Sequence, residues 1–145
     1  MSHARQQIRE AFAAQITGLA SSAPVYQWRV HLIPIDVDLS IRVSTPDEDM
    51  QQDDALGVEH ERTLTIRVEL FVKASTDVDD VIDTLCLEVE HAIAADTTLG
   101  GLVYWCVPMS FTADTDASVE LDSMMASMDF QTRYRVSNAA VDTTL

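Results

Sequence analysis

Between Arg62 and Ile93 the hydrophobic period of this chain changes once, and few architectures accommodate that change. Leu64, Ile66, Val68, Leu70 and Val72 recur at every second residue, with Thr65, Arg67 and Glu69 between them. That is the pattern of a long strand with one face buried. Ser75-Thr76-Asp77 interrupts it, after which Val78, Ile82, Leu85, Val89 and Ile93 recur at spacings of three and four. The second pattern predicts an amphipathic helix, with Thr76 and Asp79 as a capping pair in which Asp replaces the usual Glu or Gln. A long strand feeding a helix needs a sheet on which that helix can lie.

The remaining segments supply one. Ile8, Phe12, Ile16 and Leu19 form an apolar stripe on a helix predicted from Ser2 or His3 to Leu19, ended by Gly18 and the run to Pro24. Val25–Val30 alternates as a strand. A second alternation runs through Ile33, Ile35, Val37, Leu39, Ile41 and Val43, and Pro34 moves its pairing past that residue or to a sheet edge. Thr45–Glu59 contains Pro46, Gly57 and the acids Asp47, Glu48, Asp49, Asp53, Asp54 and Glu59, which predicts a long acidic loop over about 45–60. After a turn at Asp96–Gly101, Leu102–Phe111 is expected as a strand with Val103, Trp105, Val107, Met109 and Phe111 on one face. A second acidic connection leads to a final strand from Met124 to Val136. The expected fold is α/β in the α+β sense. It is a single domain over residues 1–137, with a mixed or mostly antiparallel sheet of about five strands and two helices on one face, in the order α-β-β-β-α-β-β. Residues 138–145 read as a flexible tail.

Charge narrows the function. Twenty-four acids oppose nine bases, a formal −15, and Lys73 is the sole lysine. Nucleic acid is not bound through such a surface, because phosphate contacts need clustered cations. Solubility, adaptation to salt, and a surface that stays near DNA without adhering to it all fit this composition. No apolar run reaches membrane-spanning length, and the polar start MSHARQQIREAF reads as a helix rather than a secretory leader. Cys86 and Cys106 lack metal or disulfide spacing and read as reduced, buried small hydrophobes.

No stretch carries recognisable chemistry. Glu88-x-x-His91 has the spacing of a di-iron ligand pair, but the second copy such sites need is missing. Asp114-x-Asp116-x-Ser118 opens like a calcium loop, then places Val119 where glycine belongs and Met125 where glutamate belongs. His31 near Asp36 and Asp38, and His60 between Glu59 and Glu61, match no zinc spacing. No catalytic, cofactor or metal residues are therefore expected. Asp129, Arg133 and Arg135 share one face of the last strand; they pair with acids on a neighbouring strand or meet an acidic patch on another subunit.

Several stretches resemble the tail terminator proteins of long-tailed phages, the family of the lambda tail terminator and related minor tail proteins. They are the opening His3–Ala11, the segment Trp28–Pro34, the strand, helix and Leu-Gly-Gly turn from Thr63 to Gly101, and the closing Phe130–Val136. Pro34–Pro46 departs from the family, with a longer alternating strand and a more acidic loop. The resemblance implies a non-enzymatic virion protein at the head-proximal end of a tail, assembled in the host cytoplasm. It implies a homohexameric ring that caps the tube, ends its polymerisation and meets the head-side connector. DNA would cross the lumen unbound, with Asp47, Glu48, Asp49, Asp53 and Asp54 at the lumen or its rim and Arg133, Arg135 and Asp129 between subunits. A head-to-tail connector of similar size, or a small ligand-binding regulatory module, is the alternative for this pattern.

Overall fold

The computed structural model describes residues 2–27, 39–52, 58–73, 77–115, 123–137 and 139–145. In chain order these hold α1 (Ala4–Gln15), β1 (Val25–Gln27), β2 (Leu39–Gln52), β3 (Glu59–Lys73), α2 (Val78–Ala94), β4 (Trp105–Thr115), β5 (Ser123–Ser137) and β6 (Ala140–Thr144). The strands form one sheet in the order β1-β2-β3-β5-β4, with β6 pairing the end of β5 beyond β4. Among the described residues, only β1 and β2 are parallel neighbours. Because β3 and β4 each run antiparallel to β5, they point the same way, and α2 is the crossover between them. The expected α+β class and element order are the ones observed, with β6 added.

Both helices pack on one face of the sheet. Ile8, Phe12 and Ile16 of the α1 region and Ile82, Leu85, Val89 and Ile93 of α2 join Leu64, Ile66, Val68, Leu70 and Val72 of β3 in one core. Burial of these side chains is the main force holding the two layers together. Phe12 and Phe130 meet edge to face, ring centroids 5.1 Å apart. Thr132, fully buried among apolar neighbours, is satisfied because its hydroxyl donates to the Leu64 carbonyl at 3.1 Å. Gln15 ties the helices together, its amide donating to the Ala92 and Asp96 carbonyls at 2.8 and 2.9 Å. Those carbonyls, at and just beyond the end of α2, have no partner within the helix.

Four expectations change. Thr45–Gln52, expected in a loop, continues β2 along β3. The acids there tolerate strand geometry because a register shift between Ser44 and Asp47 redirects alternate side chains. The tail is not frayed over Ala140–Thr144: that stretch pairs with β5, Val141 packs on the core, and Gln7 donates to the Asp142 carbonyl at 2.6 Å. Helix α2 is entered through Asp77 in a left-handed conformation (φ 55°) with no side-chain cap; Thr76 lies outside the described residues. Asp79 and Asp80 in its first turn still complement the positive end of the helix dipole. Finally, the apolar residues of β4 do not share a buried face, as described below.

Candidate assembly surfaces

The sheet face away from the helices is polar and carries rows of ion pairs. Arg42 on β2 forks onto Glu69 of β3, and Arg67 of β3 forks onto Asp129 of β5 at 2.9 and 3.2 Å. The hydrogen bond to Asp129, reinforced by its charge, raises the Arg67 pKa above the ordinary guanidinium value. Arg133 reaches Glu61 at 3.0 Å and lies over the Trp105 ring, 5.4 Å from its centroid. Arg135 approaches Glu59 at 3.9 Å. Cross-strand pairing is thus where the structure places Asp129, Arg133 and Arg135. Their partial exposure leaves them able to contact another molecule as well.

The acidic segment divides by the register shift. Before it, Ile41 and Val43 lie opposite Leu70 and Val68 on the core face. After it, Glu48 lies opposite Leu64 and Met50 opposite Arg62, so even-numbered residues take that face, while Asp47 and Asp49 turn to the polar side and are exposed. Asp53 and Asp54 lie outside the described residues. Glu48 has only 3% of its side chain exposed, and it is neutralised within the subunit. Arg5 of α1 donates to it at 2.7 Å, Arg62 lies at 3.5 Å, and the Tyr134 hydroxyl donates to the same carboxylate. Burial, and then the bond to Glu48, push the Tyr134 pKa upward. Charge composition shows no sign of this cluster, because its members come from four separate elements. His3 completes it: its Nδ1 accepts from the Arg5 amide at 3.0 Å as the α1 cap, and its Nε2 lies 3.3 Å from Arg62.

Strand β4 lies at the sheet edge, and among the described residues it pairs only with β5. A register shift between Pro108 and Ser110 makes Met109 the extra residue of a bulge. Trp105 and Val107 therefore share a face with Arg133 and Gln131, while Phe111 lies opposite Met128 on the helix side. The single apolar face expected for Val103–Phe111 is split, and every residue from Val107 to Ala113 is exposed.

Among the described residues no group of three or more His, Cys, Asp or Glu side chains is arranged to hold a metal ion. Glu88 and His91 lie on α2, His60 on β3 and Asp114 near the end of β4, while His31, Asp36, Asp38, Asp116 and Ser118 lie outside the described residues. A polar cleft of about 460 Å³ lies between Arg5 and Arg9 of α1 and Thr45, Pro46, Asp47, Glu48 and Met50 of β2. No helix among the described residues is long and apolar enough to cross a membrane.

No family model and no curated protein matches the chain. Among solved structures, the chain shares its fold with a chain of the virion of a native gene transfer agent particle, at 13% identity and a TM-score of 0.50, with 92% of each chain covered.

Proposed function

We propose that this chain is a structural subunit of a virion tail, a terminator whose copies close into a hexameric ring on the end of the tail tube. The observation that carries the reading is a fold shared over 92% of both chains with a component of a gene transfer agent virion. The stretches that resemble tail terminators agree with it. A capping ring asks for shape and surface rather than chemistry, and its role is non-catalytic. The ring stops tube subunits from adding and offers its other face to the head-side connector.

Its charge suits a channel that DNA crosses. Each copy brings a formal −15, and a like-charged wall weakens adhesion of the phosphate backbone. Asp47 and Asp49, which are exposed, with Asp53 and Asp54, are assigned to the lumen or its rim. Glu48 is withdrawn from that role because its carboxylate is engaged inside the subunit. Adding the chain to polymerising tube protein tests the proposal. Electron microscopy should show sixfold rings at tube ends and arrested growth. Rings found only on the portal side of particles would make it a connector, and tubes growing unchanged past the chain would end the terminator reading.

A further inference from the structure

We propose that the cleft between α1 and the far half of β2 receives an acidic side chain of a partner polypeptide, one carboxylate on an otherwise uncharged segment, with Arg9 as its main contact. Arg9 stands apart in this chain. Every other described arginine has a carboxylate at 3.9 Å or closer. Arg9 instead donates from Nε to the Gln27 side-chain oxygen at 3.3 Å and from Nη1 to the Thr45 hydroxyl at 3.4 Å. Both acceptors are uncharged, and both distances are long for such bonds. In a chain with 24 acids and nine bases, this half-buried guanidinium is left without an acid among the described residues.

The cleft, about 460 Å³, has room for a side chain and the backbone that carries it. Arg5 lies four residues before Arg9, so both side chains leave the same face of α1. Arg5 commits Nη1 to Glu48 and is 37% exposed, which leaves it further N–H donors. Glu48 is shared with Arg62, and Asp47 turns to the polar sheet face, where its charge also bears on Arg67. Three arginines against these two acids leave one positive charge in excess, the reverse of the subunit as a whole. Met50, 56% exposed, lines the same cleft and offers an apolar wall to the stem of an entering side chain.

Charge selects the occupant. A guanidinium fork matches a carboxylate through two parallel hydrogen bonds. One carboxylate balances an excess of one, whereas a phosphate group near −2 exceeds it. DNA and other polyanions also meet repulsion from the −15 body that grows with their own charge. A segment with a single carboxylate escapes most of that repulsion, because exposed charges beyond a Debye length of about 8 Å are screened. A second copy of this chain brings the same −15, so the partner is a less acidic polypeptide. The cleft belongs to one subunit, and the inference does not depend on the proposed ring.

The test titrates the full chain with a capped Gly/Ser peptide carrying one central Glu and with its Gln counterpart, read by NMR at the arginine Nε–H groups. The Glu peptide should shift the Arg9 signal saturably at millimolar concentration, and the Gln peptide should bind about 10-fold more weakly or worse, as for loss of one charge-assisted bond. Arg9→Gln should abolish the response at Arg5, and Arg9→Lys, which keeps the charge without the fork, should restore only part of it. Arg133→Ala, which removes a cation already paired with Glu61, should leave the titration unchanged. The wild-type titration stands whether or not a variant folds. Equal binding of the two peptides, a flat response, or shifts as large at Arg67 and Arg133 as at Arg9 would overturn the site. Tighter binding of inorganic phosphate or a DNA duplex to Arg9 would give it to phosphate and end the carboxylate assignment. Self-association of the chain that Arg9→Gln removes would likewise end the assignment to a less acidic partner.

Discussion

Arg5 and Glu48, 43 residues apart in sequence, meet at 2.7 Å and fasten the first turn of α1 to the far half of β2. Glu48 also neutralises Arg62, whose side chain is 5% exposed. A carboxylate buried beside a guanidinium contributes little net stability as a pair, yet removing one partner strands the other.

Glu48→Gln is therefore expected to destabilise the fold by about 3 kcal/mol or more, because Arg62 keeps its charge with no counter-ion. Urea unfolding measures this. Glu48→Met combined with Arg62→Met should recover most of the loss; a double variant as unstable as the sum of its singles would show that the two side chains act independently.

His3 makes the same corner sensitive to acid. Burial, followed by repulsion from Arg5 and Arg62, lowers its pKa below the ordinary 6.5. The unfolded chain consequently takes up this proton first as pH falls. The stability contributed by neutral His3 is complete above 6.5 and is lost as pH drops through the lower folded value. His3→Asn retains a good helix cap and removes the titration. Its unfolding free energy should fall less than that of wild type between about pH 7 and pH 5, and parallel profiles would count against His3 as the cause.

The Phe12–Phe130 contact docks α1 on the centre of the sheet, and both side chains are fully buried. Phe12→Ala should cost about 3–5 kcal/mol. A cost below about 1 kcal/mol, measured by denaturant unfolding, would mean that the helix does not depend on this site.

The polar face behaves differently. Arg133 and its partner Glu61 are 44% and 21% exposed, so Arg133→Ala should change stability by less than about 1 kcal/mol. If Arg133, Arg135 and Asp129 also bridge subunits, their alanine variants will fold normally and assemble poorly. Light scattering beside a thermal melt separates the two effects.

Both thiols should be inert while the protein is folded. Burial pushes Cys86 up to about 11 and Cys106 up to about 12, leaving little thiolate at neutral pH. Ellman's reagent should find both only after denaturation, and rapid reaction of the native chain would show that the β4 or α2 packing opens.

The strand of β3 and the helix that follows were legible because each obeys one period without interruption: all five alternating residues of β3 and all but the first, half-buried residue of the α2 set are in the core. The shared face of Asp129, Arg133 and Arg135 was legible for the same reason. Their partners were not, since Glu61, Glu59 and Arg67 are set by the register between β3 and β5. The acidic segment read as a loop because Pro46 and its dense acids suit strands poorly.

Residue order fixes which segments can be amphipathic, and for this chain that was enough to specify two helices on one face of a sheet. It left open which way individual side chains face in β2 and β4. One extra residue in a strand exchanges its two faces, and whether that residue is accommodated depends on the partner strand lying beside it. Pairing in three dimensions therefore turned Glu48 inward to Arg62, turned Asp47 and Asp49 outward, and left Val107, Met109 and Phe111 at an exposed edge.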